Sequence, residues 1–218
     1  MEGESSLRER LIDVGVDLVT TEGSASLGLR EIARRAGVSH GAPRRYFPTH
    51  HALLSAIARR GFEDLGARFA AAIAGTTSPR AQVRAAALVY VGYALENRGM
   101  FELMFRHDLL DSEQHASGER RLREATLPLF ERIVALIARC RAEPTTAHRP
   151  GPPNKAAPPP AVTAAALWAN LHGIAQLWAW GSLQLALDAP PPVGAPGSDQ
   201  LDQLVATVLD AHLGPVDS

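Results

Sequence analysis

Apolar residues in this chain recur every three or four positions along nearly its whole length, and the two-residue alternation of a half-buried strand is almost absent. Leu7, Leu11, Val14, Leu18 and Val19 set the pattern. Leu53, Ile57, Leu65, Phe69 and Ile73 repeat it, as do Leu201, Leu204, Val205, Val208 and Leu209. This period gathers apolar side chains into one stripe of a helix, which must be covered by another helix. An all-α fold is the expectation. The chain has 218 residues, 46% of them hydrophobic, enough for one or two packed cores.

Local chemistry marks the helix ends. Ser6 and Glu9 have the spacing of a capping box and are expected to open the first helix, which Gly23 stops. A short second helix is expected over 29–35, with Ile32 and Ala33 inward. Ala36-Gly37-Val38-Ser39 reads as a tight turn with Gly37 left-handed, and Ser39 is expected to cap a third short helix reaching Tyr46. After Pro48, Thr49 is placed to cap a longer helix. Pro79 opens another, running to about 98, and a short segment at 100–108 follows. A helix over 119–140 carries Leu122, Thr126, Leu129, Ile133, Leu136 and Cys140 on one face, with a kink expected at Pro128. Residues 144–160 hold seven prolines and no periodicity, so they read as a connector. The segment 161–187 is apolar nearly all round, and 199–212 forms the last helix.

Net charge is −1, but its distribution is uneven. Between Ser26 and Arg60 there are seven arginines against one acid, Glu31, with His40, His50 and His51 in the same stretch. A basic block inside a neutral chain is an electrostatic footprint for phosphate. It coincides with three short helices and a glycine turn before the third, the pattern of a helix-turn-helix whose last helix enters a major groove. Ala33 is small enough for two helices to cross closely, and Val38 is expected to plug the core beneath the turn.

The run Ile32-Ala-Arg-Arg-Ala-Gly-Val-Ser-His-Gly-Ala-Pro-Arg-Arg-Tyr-Phe47, followed by Pro-Thr-His-His-Ala-Leu-Leu54, resembles the DNA-binding domain of TetR-family transcriptional regulators over about residues 7 to 60. Leu167-Trp-Ala-Asn-Leu-His-Gly-Ile174 is similar to the Trp/His/Gly signature of one C-terminal subclass of that family. The resemblance implies an all-α homodimer with a three-helix helix-turn-helix domain, here 1–48. A C-terminal helical bundle for ligand binding and dimerisation would be 49–218. It further implies binding to a near-palindromic operator, usually as a repressor released by a small molecule. There are departures. Gly28 and Leu29 stand where the family places a Ser or Thr cap, Arg44 and Tyr46 where it has tyrosine and histidine, and His50 where it has lysine.

Residue roles follow as expectations. Ser39, His40, Gly41 and Ala42 face base edges, Ala42 being suited to a thymine methyl. Arg30, Arg44, Arg45, Tyr46, Thr49 and His50 grip phosphates, whereas Phe47 is assigned to core packing. In the C-terminal half, Tyr93, Phe101, Met104, Phe105, Trp168, Asn170, His172 and Trp178 are the candidate lining of a ligand site, with His107 as a further polar anchor. An apolar lining suits a lipophilic small-molecule effector. The apolar 161–187 segment and the striped last helix are expected to meet their symmetry mates in a homodimer.

Other classes find little support. The longest apolar stretch, Ala85 to Leu95, is bounded by Arg84 and Glu96 and is short for a membrane span. The N-terminus lacks a secretory pattern, and one cysteine, Cys140, fits a reducing cytoplasm. His50 and His51 are adjacent and cannot share an ion from one helix face, and no Cys/His cluster has zinc spacing. No nucleophile or phosphate-loop motif is present, so no enzyme, metal or cofactor is expected. The competing reading is an effector-independent DNA-binding activator or DNA-organising protein.

Overall fold

A computed structural model describes residues 2–106, 110, 122–143, 157–188 and 199–215. Among them the regular elements are all helical. In chain order these are α1 (Glu2–Glu22), α2 (Leu29–Arg35), α3 (His50–Ala74), α4 (Pro79–Glu96), α5 (Arg98–Phe105), α6 (Leu122–Ala142), α7 (Pro160–Ala179), α8 (Ser182–Ala186) and α9 (Asp199–Leu213). Two 3-10 turns, Ser24–Ser26 and Ala42–Arg45, lie between the early helices. None of the described helices is long and apolar enough to cross a membrane. The chain divides into two compact units, one of residues 1–65 with 97–127, the other of 66–96 with 128–218.

In the first unit α1 packs on α2 and α5. Leu11, Leu18, Val19, Ile32, Phe47, Leu53, Ile57, Leu103 and Met104 are fully buried there. Of the expected stripe of α1, Leu11, Leu18 and Val19 are buried and Leu7 and Val14 half-buried, and Phe47 is a core residue as assigned, with the Arg8 guanidinium 5.3 Å above its ring. Helices approach closely where side chains are absent: a Cβ on Gly61 would lie 2.6 Å from Met104 Sδ.

In the second unit α4, α7 and α9 pack on one another. Leu201, Val205 and Leu209 of the α9 stripe are buried, with Leu204 and Val208 half-buried. On α6 the deepest residues are Leu136 and Ile137. The stripe read from sequence included Leu136 but missed Ile137, one position round the helix.

Three local expectations are corrected. Ser6 does not open α1, because the helix starts at Glu2 and passes through Ser6. Glu9 instead pairs with Arg8 at 3.0 Å and with Arg60. The apolar segment 161–187 is not one helix: α7 ends at Ala179, Gly181 adopts φ 79°, and α8 restarts at Ser182. A left-handed residue cannot continue a right-handed helix, and glycine takes that conformation without steric cost. The third correction concerns 39–46 and is taken up below. The proline-rich connector lies mostly outside the described residues, as does His107.

Candidate nucleic-acid interface

The turn before the reading segment closes α2. Gly37, at φ 68°, donates its N–H to Arg34 O at 3.1 Å, and the Val38 N–H reaches back to Ala33 O at 3.0 Å. This pair of bonds satisfies carbonyls that the helix end leaves open and requires the left-handed residue between them. The sequence reading of Gly37 holds. Val38 is half-buried rather than a full core plug.

The segment that follows is not an α-helix opening at Ser39. Residues 40–41 form a turn and Ala42–Arg45 a single 3-10 turn. The Ala42 N–H bonds to Ser39 O at 3.0 Å, and the N–H groups of Tyr46 and Phe47 share Pro43 O at 3.0 and 2.8 Å. Ser39 thus contributes its carbonyl rather than a side-chain cap. Pro43 has no N–H to offer the carbonyl four residues back, so the first α-type bond cannot form and the tighter pattern replaces it. Pro43 is buried, and this leaves Ser39, His40, Gly41, Arg44 and Arg45 on the outside, with Ala42 and Tyr46 half-buried.

The seven arginines separate into two groups. Arg34 forks onto Glu31 with bonds of 2.9 and 2.6 Å, Arg35 reaches Glu31 at 2.7 Å and also Glu22, and Arg60 is paired with Glu9. Arg59 is half-buried. Arg30, Arg44 and Arg45 are exposed and make no ion pair or hydrogen bond to another described residue. Among the described residues, the free cations of the block are therefore one on α2 and two on the 3-10 turn.

Thr49 caps α3 as expected, its Oγ1 accepting the Ala52 N–H at 3.0 Å. The His50 Nε2 donates to Leu27 O at 2.6 Å, which pins the start of α3 to the loop ahead of α2. A neutral His50 then has only the acceptor Nδ1 left, so it can donate to a phosphate only as imidazolium.

The candidate ligand residues fall in both units. Phe101, Met104 and Phe105 belong to the first, where the Phe105 ring lies 4.8 Å from Phe101 and 5.7 Å from Phe62. Tyr93, Trp168, Asn170, His172 and Trp178 belong to the second. Tyr93 is buried under the Arg68 guanidinium, 5.1 Å from its ring, and Trp178 is buried. Asn170 is exposed and bonded to His212 Nε2 at 2.8 Å. The residue that joins this group is Tyr90, absent from the sequence-derived set. The Trp168 indole N–H donates to the Tyr90 oxygen at 2.8 Å, and the Tyr90 hydroxyl donates to His172 Nδ1 at 2.9 Å. Burial pushes the Tyr90 hydroxyl well above its ordinary pKa and holds His172 below its own, so both groups are neutral in this chain of bonds. On sequence Tyr90 is one of several aromatic residues concentrated in the C-terminal half, and only spatial proximity marks it as the partner of Trp168 and His172. Among the described residues no group of three or more His, Cys, Asp or Glu side chains is placed to hold a metal.

Comparison with known proteins gives the same architecture. Residues 83–196 match the model of the tetracyclin repressor-like C-terminal domain, and residues 11–57 that of bacterial regulatory proteins of the tetR family. A solved protein with unknown function from Rhodococcus sp. RHA1 is 31% identical, with 95% of this chain and 93% of that one covered and a TM-score of 0.68. Two more distant structures share the fold. PfmR, a TetR family transcriptional regulator from Thermus thermophilus, is 17% identical over 96% of this chain and all (100%) of its own, with a TM-score of 0.57. RolR, solved with resorcinol, is 17% identical over 96% and 89% at a TM-score of 0.63. With one family model on the reading head and another over half of the chain, the protein belongs to the TetR family of DNA-binding transcriptional regulators, which are not enzymes.

Proposed function

We propose that the protein is a homodimeric repressor that holds a near-palindromic operator and releases it when a small apolar molecule binds its C-terminal domain. The observation that carries the DNA contact is the grouping of Ser39, His40 and Gly41 with three uncommitted guanidiniums, Arg30, Arg44 and Arg45. Ser39 to Ala42 read base edges, while the arginines, with Tyr46, Thr49 and His50, hold phosphates. Two such heads are needed because half-sites on one face of B-DNA recur about every 34–36 Å. Apolar side chains left outward on α7 and at its C-terminal cap support pairing: Val162 is 55%, Leu177 41% and Trp180 65% exposed.

RolR is solved with resorcinol, a small aromatic molecule, and the Trp168–Tyr90–His172 chain offers aromatic rings and hydrogen-bonding groups to such an effector here. Trp168 and His172 are its proposed contacts, with Tyr93, Trp178 and Asn170 in the same unit. Phe101, Met104 and Phe105 are a separate proposed lining in the other unit. Effector binding would act by favouring a head spacing that no longer fits the operator.

The test is a mobility-shift titration of the full chain on DNA from upstream of its own gene, repeated across salt concentrations. The doubly substituted Arg44→Ala/Arg45→Ala protein should show a salt slope shallower by roughly two units. An unchanged slope and affinity would remove the phosphate role. A complex that no small aromatic or lipophilic compound releases would favour the effector-independent reading.

A further inference from the structure

Glu31 stands as the single acid in the basic block, and both of its carboxylate oxygens are bonded. Arg34 approaches both carboxylate oxygens through Nε and Nη2, Arg35 Nε shares Oε1, and Arg35 Nη2 continues to Glu22 at the end of α1. Two carboxylates and two guanidiniums cancel, so this cluster brings no net charge to an approaching duplex. Resting on the proposed DNA-binding role, we infer that Glu31 sets the specificity of the head by keeping Arg34 off the phosphates while Glu22 shares the hold on Arg35, leaving the backbone grip to Arg30, Arg44 and Arg45.

Stability does not account for the arrangement. Every member is open to solvent, and ion pairs of that kind contribute little to folding. What the cluster governs is presented charge. The two arginines hold the Glu31 carboxyl at about 2, so it is ionised wherever DNA is bound. A phosphate that drew Arg34 away would leave this carboxylate facing a polyanion, so the arginine is held where it is. Non-specific binding is almost wholly electrostatic and grows with each cation delivered to the backbone. A regulator must find its operator among about a million or more competing sites, so suppressing that term raises discrimination without altering any base contact.

The experiment measures binding of the full chain to a random-sequence duplex by fluorescence anisotropy over a series of KCl concentrations. Glu31→Gln keeps the shape and removes the charge. It should bind this duplex several-fold more tightly at low salt and steepen the salt slope by about one unit. Adding Arg34→Ala to Glu31→Gln should return the slope to that of the native protein, because Arg34 is the cation set free. A Glu31→Gln slope equal to the native one, or a steep slope that persists in the double variant, overturns the inference. Arg44→Ala/Arg45→Ala, run alongside, reports on the underlying reading. If it flattens the slope while Glu31→Gln does nothing, only the role of Glu31 fails. Native protein that leaves the duplex unbound at low salt defeats both.

Discussion

Gly99 lies against the end of α1 with no room for a side chain: a Cβ there would sit 2.2 Å from the Val19 carbonyl oxygen and 3.0 Å from Gly23 Cα. The same carbonyl accepts the Gly23 N–H at 3.2 Å, so the close approach of α5 falls on the bond that closes α1. Backbone on both sides cannot rotate out of the way. Gly99→Ala should therefore destabilise the first unit by about 1–3 kcal/mol, read as a lower urea midpoint with an unchanged slope. Gly15→Ala is the comparison. Its Cβ would meet side-chain carbons rather than backbone, Ile57 Cδ1 and Cγ1 at 2.3 and 2.8 Å and Ile32 Cδ1 at 3.9 Å, which shift at less cost than main chain, and alanine recovers up to about 1 kcal/mol of helix propensity. The Gly15 variant should be the milder of the two, and the opposite order would contradict the described packing.

Thr49→Ala removes the side-chain oxygen that accepts the Ala52 N–H at the start of α3. A lost cap costs about 1 kcal/mol. Thr49→Ser should restore most of it in urea titrations, whereas equal losses in both variants would show that the methyl group, not the cap, matters.

Acid should weaken the second unit through His172. Burial holds the His172 pKa below the ordinary 6.5, and the Tyr90 hydroxyl needs an unprotonated Nδ1. The unfolded chain then binds a proton that the folded one refuses. Stability contributed by neutral His172 is complete well above 6.5 and declines as pH falls below it. Glu31, held at about 2 against an ordinary 4.5, loses its contribution only in that lower window. Unfolding midpoints measured at about pH 7.5 and 5.5 should drop toward the acid side in the native protein and drop less in His172→Gln. Equal pH dependence in the two proteins would exclude His172 as the source.

Leu177→Glu tests the outward stripe of α7. Leu177 is 41% exposed in the single chain, so the charge costs the monomer little, but it would be buried unpaired between two copies. Sedimentation velocity should show the native protein as a dimer and the variant shifted to monomer with its circular dichroism intact. A native monomer, or an unmoved dimer, would place the contact elsewhere or remove it.

Much of the fold was legible because helix formation is decided over a few residues. The spacing of Leu11, Leu18 and Val19, the cap at Thr49 and the left-handed turn at Gly37 are local requirements, and each appears in the structure where the chain demanded it. Gly41 and Pro43 were also visible, yet a helix was expected through them. The missing N–H of Pro43 outweighed the cap offered by Ser39. Ser6 misled for the converse reason: its capping-box spacing is a favourable local option, and continuing the helix through it was equally open to the chain.

By itself the sequence determined the helical class, the turn and basic block of the reading head, and the family, since periodicity, turn chemistry and charge density survive in one dimension. The tertiary structure alone decided which of the seven arginines are free, because Arg35 and Arg60 find Glu22 and Glu9 only once α2 and α3 lie beside α1. It alone joined Tyr90 to Trp168 and His172, 78 and 82 positions away. Hydrogen bonds and ion pairs act over about 3 Å and depend on direction, so partners remote along the chain are chosen by packing.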